Sequence, residues 1–147
     1  MRPRCIKLVF DQSTIEKYAE SYFKEHPRAK KMPIRHPYHE SINVWMIMRR
    51  PAMNALKGKW KAFMTWFIKE QGYENLRIEK CELYFSTYYA TNNRHDPDNS
   101  TPKILLDGLV EGGFIVDDDS SHIRKLSLEC FVDHKRPRTE ITVKILE

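Results

Sequence analysis

From Pro51 onward, Met53, Leu56, Trp60, Phe63, Met64, Phe67 and Ile68 recur at three- and four-residue spacing, and the pattern holds until Gly72. This predicts one long helix with a single wide apolar face, polar elsewhere, and such a face must be buried against other elements. The chain therefore needs partners for it. "LRIEKCELYFSTYY" alternates as a strand with Cys81, Leu83 and Phe85 facing inward, and "CIKLVF" reads as a second strand.

The remaining elements follow from capping and periodicity. "STIEKYAESYFKEH" reads as a helix with Ser13 and Glu16 in capping-box spacing and a core stripe of Ile15, Tyr18, Ala19, Tyr22 and Phe23. His26-Pro27 ends it. "PRAKKMPIRHP" reads as a basic, proline-punctuated loop without a core pattern, solvated or in contact with phosphates. "SINVWMIM" reads as a buried strand. Pro102 opens a helix running to about Gly112, with Leu105, Leu106, Leu109 and Val110 on its apolar side and Lys103, Asp107 and Glu111 on another. "GGFIV" is a turn into a short strand, and "LSLECFV" and "TEITVKIL" form a hairpin around "DHKRPR".

With 147 residues, 41% of them hydrophobic, the chain suits one cored domain rather than two. The three cysteines, Cys5, Cys81 and Cys130, are far apart and make no Cys-x-x-Cys pair, which argues for reduced, buried thiols and against a zinc knuckle or disulfide framework. The start "MRPRCIKLVFDQ" has too short an apolar run for a signal peptide, and no segment reaches the length of a membrane span. An intracellular protein is expected.

The formal charge of +5 favours a polyanionic partner, and its distribution is more informative. Eleven Lys or Arg lie between Lys24 and Lys69 against only Glu25 and Glu40, whereas seven acids lie between Asp96 and Asp119 against Lys103 alone. The first region suits phosphate. Its candidate DNA contacts are Arg49, Arg50, Lys57, Lys59 and Lys61. Trp66 falls outside the helix stripe, where it could stack on a base, meet a second subunit or pack on a neighbouring loop.

The second region suits a cation. In "RHDPDN", Asp96 and Asp98 are alternate residues of a proline-stiffened stretch and share a face, so they repel each other unless a cation sits between them. A third carboxylate from Asp117 to Asp119 would complete a hard oxygen set of the kind that holds Mg²⁺. Such a site suits phosphoryl chemistry, and Lys103 would add fixed positive charge where negative charge develops. Each acidic segment alone also reads more simply: "DPDN" as an Asx-type turn, the Asp triplet as a cap. An EF-hand is excluded because Thr101 stands where the sharp turn requires glycine. His95 could carry protons beside the metal or form a local ion pair, while His36, His39 and His122 read as structural or solvent-facing.

"RHDPDNSTPKILLDGLVEGGFIVDDDSSHI" resembles the signature of the RusA-like Holliday junction resolvases of phages and prophages. That family shows Arg, Asp, any residue, Asp, Asn, then a Lys opening a helix with Leu-Asp, then a Gly-led turn into paired aspartates. The match covers Asn92 to Ile123, including the spacing from Lys103 through Asp107 to Asp117 and Asp118. His95 stands where Arg is common, with Arg94 one place earlier, and one extra residue lies between Asn99 and Lys103. The stretch at about 12–40 looks like a helical insertion and basic linker within a single domain spanning 1–147.

The resemblance implies a mixed α/β (α+β) fold with a small central mixed sheet and flanking helices, assembled as a homodimer. It implies a Mg²⁺-dependent endodeoxyribonuclease, with Mn²⁺ as a substitute, that resolves four-way DNA junctions by paired symmetrical nicks in recombination and repair. Asp96, Asp98 and Asp118 match the catalytic carboxylates and metal ligands, Asp117 the neighbouring acid and Lys103 the catalytic lysine. Arg94, His95 and Asn99 flank them as DNA contacts. No membrane and no small-molecule cofactor is implied, and the cytoplasm of a bacterium or phage-infected cell is the expected location. Two other readings stand beside it: a metal-dependent nuclease on other branched or flap DNA, and a non-catalytic structure-specific DNA-binding protein.

Overall fold

Alternation fixes which way each strand faces, and the helix stripes then cover the apolar side. The computed structural model describes the chain apart from residues 1–3, 42–43, 45, 93–100 and 147. Its elements are β1 (Cys5–Asp11), α1 (Gln12–Glu25), α2 (Arg50–Glu70), β2 (Cys81–Tyr89), α3 (Lys103–Glu111), β3 (Ile123–Val132) and β4 (Arg138–Ile145). The fold is mixed α+β, with a four-stranded sheet in the order β1-β4-β2-β3. β4 is antiparallel to both β1 and β2, and β3 is parallel to β2.

One apolar row, Leu8, Ile141, Phe85 and Leu128, crosses all four strands. The α2 stripe packs over this face, and Trp60, Phe63, Met64, Phe67 and Ile68 are buried as its spacing predicts. The Phe10 ring of β1 meets Phe63 at 5.1 Å and Phe67 at 5.4 Å, both edge-on, the geometry that opposes positive ring edge to negative face. Each such fully buried side chain contributes roughly 1.5–3 kcal/mol. Ile15 and Tyr18 of α1 belong to the same cluster.

Three sequence expectations fail here, each for a physical reason. β3 and β4 do not form a hairpin: β4 lies between β1 and β2, and β3 is an edge strand beyond β2. The link from Asp133 to Pro137 crosses the end of β2, about 10 Å for two strand spacings, and is pinned there. Asp133 donates its N–H to the Tyr89 carbonyl at 2.9 Å, and His134 Nδ1 lies 2.6 Å from the Ala90 carbonyl oxygen. β4, with Thr139, Ile141 and Val143 buried, takes the inner position that the mostly exposed β3 cannot fill.

The described residues of "SINVWMIM" do not form a buried strand. Val44, Met46 and Ile47 are 45%, 64% and 85% exposed, and the Val44 N–H bonds the Ser41 carbonyl at turn spacing. A short apolar run carries no periodicity that separates strand from turn. The α1 capping box is also displaced: strand β1 runs on to Asp11, whose carboxylate accepts from the Thr14 N–H at 3.2 Å while the Asp11 N–H donates to the Thr14 hydroxyl. Asp11 and Thr14 therefore take the roles expected of Ser13 and Glu16.

The basic linker is fastened rather than loose. Ile34 and His39 are buried, the Thr139 hydroxyl donates to the Pro37 carbonyl at 2.7 Å, and the Trp60 indole N–H donates to Glu40 at 2.9 Å. Cys81 is buried, which pushes its thiol up to about 11; Cys130 is half-buried, Cys5 is exposed rather than buried as expected, and none of the three is in a disulfide. Among the described residues no helix is long and apolar enough to cross a membrane.

Candidate active site

The site is set by how closely α3 lies on α2. A Cβ built on Gly108 would sit 2.4 Å from the Met64 Cβ, so only glycine permits this approach. With α3 seated, its first residue, Lys103, projects its ammonium from the helix start. The chain leaving α3 turns at Gly113, whose φ of +78° and 2.0 Å approach of a notional Cβ to the Glu74 carbonyl oxygen again require glycine. Ile115 then pairs with Ile78 in a parallel bridge, and the Val116 N–H bonds the Ile78 carbonyl at 2.9 Å. This short pairing aims the aspartate turn back along α3.

As a result Lys103 Nζ lies 3.3 Å from Asp107 Oδ1 and 3.5 Å from Asp118 Oδ2. The hydrogen bond that Lys103 donates to Asp107 and that carboxylate's charge, with a smaller contribution from Asp118, raise the Lys103 pKa above its ordinary value. The ammonium is thus kept charged and held between two elements. Asp117 Oδ1 accepts the Asp118 N–H at 2.7 Å, which stiffens the turn.

Asp119 has a different task. Its Oδ1 accepts from the Ser121 hydroxyl at 2.6 Å and from the Ser121 and His122 N–H groups at 3.0 and 3.2 Å, and it lies 2.7 Å from His122 Nδ1. These bonds, led by Ser121 and then His122, lower its pKa to about 2. Asp119 binds the rest of the turn, while Asp118 faces Lys103 and Asp117 is exposed.

Of the residues predicted from sequence, Lys103 and Asp118 are brought together and Asp117 adjoins them on the same turn. Asp96, Asp98, Arg94, His95 and Asn99 lie outside the described residues. Among the described residues no group of three or more His, Cys, Asp or Glu could hold a metal ion. Asp117 and Asp118 are hard oxygen donors of the kind Mg²⁺ takes, and the full predicted set also needs Asp96 and Asp98.

Arg49, Arg50, Lys59 and Lys61 are exposed and Lys57 is half-buried. They do not make a single row: Lys57 and Lys61 share one side of α2 by their four-residue spacing, and Lys59 faces another. Trp66 packs 5.1 Å from Tyr18 and 6.0 Å from Phe63, partly buried against α1. His122 serves the Asp119 turn, His39 is buried, and His36 stacks on Tyr38 at 5.4 Å. Asp107 was not among the predicted site residues, although it lies nearer Lys103 than Asp118 does; its signal was the four-residue spacing from Lys103.

No protein-family model and no curated protein matches the chain.

Proposed function

We propose that the chain is a Mg²⁺-dependent endodeoxyribonuclease that resolves four-way DNA junctions by paired symmetrical nicks, acting as a RusA-like homodimer. The observation that carries this reading is the Lys103–Asp118 contact, which joins the lysine at the start of α3 to the aspartate turn, two separated parts of the Asn92–Ile123 motif. A cation fixed beside carboxylates on an exposed turn is what phosphodiester hydrolysis calls for. The acids would hold a hard metal, and the lysine would meet the charge that builds on the phosphate.

Asp96, Asp98, Asp117 and Asp118 would hold the Mg²⁺. When bound, it supplies Lewis acidity, lowering the pKa of an attacking water and offsetting phosphate charge. Lys103 binds a non-bridging phosphate oxygen and stabilises the negative charge of the pentacoordinate transition state. Asp107, four residues on, fixes the direction of the Lys103 side chain and keeps it protonated. The exposed cations of α2 and its cap bind flanking phosphates without reading sequence. A homodimer would present two equivalent sites to the two equivalent strands of a junction.

A cleavage assay on a synthetic four-way junction, with Mg²⁺ present and absent, tests the reading. Paired nicks at symmetry-related positions, dependent on Mg²⁺, are the expected result. Mg²⁺-dependent nicking that favours flaps over junctions would move the assignment to the wider class of branched-DNA nucleases, and binding without nicking would make the chain a structure-specific DNA-binding protein.

A further inference from the structure

Lys59 divides two adjoining clefts that the catalytic account does not use. One, of about 810 Å³, lies between α1 and α2, and the other, of about 240 Å³, lies between the linker and α2; Lys59 and Pro33 line both. The smaller gathers Lys31, Arg35 and Lys59, none of which has an ion-pair partner among the described residues. Glu40, the one carboxylate among its described lining residues, is already engaged by the Trp60 indole N–H. Three cations facing one cleft repel each other, and the linker that carries two of them is held in place by the Thr139–Pro37 bond and the burial of Ile34. An anion in the cleft would relieve that repulsion.

The larger cleft has a different character. Its floor on α2 is made of small residues, Ala55, Gly58 and Ala62, and a Cβ built on Gly58 would meet nothing within 4 Å. Its wall on α1 is aromatic: the His26 and Tyr22 rings stack at 4.3 Å, and Tyr18 lies against Trp66. Lys61 and Lys69 stand on its rim with Glu25 and Glu111. Among the described residues five Lys or Arg face three Glu across both clefts, so this lining is net positive. A flat floor beside aromatic rings accepts a planar base, and the neighbouring cationic cleft accepts the phosphate attached to it.

We infer that the two clefts form one groove for an unpaired DNA strand, with phosphate at Lys31, Arg35 and Lys59 and base against Tyr22 and Gly58. This rests on the proposed function in that it takes DNA as the partner, and it adds a second contact, away from Asp118, for a strand that has left the duplex. A junction or its cleavage product exposes such a strand when an arm frays. An apolar helix of another protein is the competing occupant; Lys31, Arg35 and Lys59, which have no ion-pair partner among the described residues, argue against it, because burying them uncompensated would be costly.

The test is fluorescence-anisotropy titration of the full chain with a labelled oligothymidylate and with an abasic oligomer of equal length, in Ca²⁺, at two salt concentrations. Gly58→Leu fills the floor while replacing a helix-interior glycine by a better helix former, so its Tm should match or exceed that of the wild type. Its affinity for oligothymidylate should fall about tenfold or more with loss of stacking, and its affinity for the abasic oligomer much less. Lys31→Glu with Arg35→Glu should weaken both ligands and flatten the salt dependence.

An unchanged oligothymidylate affinity in folded Gly58→Leu overturns the groove, as does a wild-type chain that nicks junctions but does not bind single strands. A wild-type chain that neither binds nor cleaves any DNA overturns the proposed function itself.

Discussion

Lys103 and Asp118 stand fifteen residues apart in the chain and 3.5 Å apart in space. That contact is made by the seating of α3 on α2 at Gly108 and by the return of the chain through Gly113. It converts a linear motif into a charged point on the surface, where, on the proposed reading, a phosphate is met by a cation and carboxylates together.

Lys103→Ala separates catalysis from structure. The side chain is 51% exposed, so its pairs with Asp107 and Asp118 contribute little to stability. Single-turnover cleavage of a four-way junction should fall by about 10²-fold or more, with junction affinity and Tm nearly unchanged. Loss of Tm with retained cleavage would assign Lys103 a purely structural role.

Gly108→Val acts one step earlier. The added side chain must push α2 and α3 apart, because the clash is with the Met64 Cβ and not with a mobile side-chain end. Overpacking of this kind costs about 1–3 kcal/mol. Denaturant unfolding should show that loss, and cleavage should fall in the variant even under conditions where it is fully folded, since Lys103 rides on α3. A variant of unchanged stability would contradict the packing account.

The Asp119 turn has a pH signature. Its carboxyl is lowered to about 2 from 3.8, so the stabilisation from its bonds to Ser121 and His122 is fully present above 3.8 and is lost as pH falls through about 2. NMR titration of the Asp119 carboxyl should give a midpoint near the lower value, and Ser121→Ala should raise it. A midpoint at the ordinary carboxylate value would mean that these bonds do not form.

Periodicity alone was enough for α2 and β2. Trp60, Phe63 and Phe67 recur at helical spacing because the residues themselves pack on a sheet, and Cys81, Leu83 and Phe85 alternate because one strand face is covered. Strand order is a different kind of information. Whether β3 pairs with β4 or with β2 depends on the crossover through α3 and on which strand is flanked on both edges, and neither is local to "LSLECFV" or "TEITVKIL". The linker likewise reads as a loop without a core pattern because its anchor, Thr139 to Pro37, spans 102 residues. At the site, motif spacing pointed to Lys103 and Asp118, and the division of labour in the triplet, with Asp119 forming the turn, emerged only from the hydrogen bonds of Ser121 and His122.

The most direct test is single-turnover cleavage of a four-way junction by Asp118→Asn across a Mg²⁺ titration, with binding measured in parallel in Ca²⁺. An amide is an uncharged, poorer ligand for a hard cation, so cleavage should be abolished at low Mg²⁺. Junction binding should persist or tighten, because a negative charge near the phosphate is gone. Cleavage by Asp118→Asn at close to the wild-type rate would contradict the account, since asparagine serves nearly as well as aspartate in a turn or cap but not as a metal-binding carboxylate.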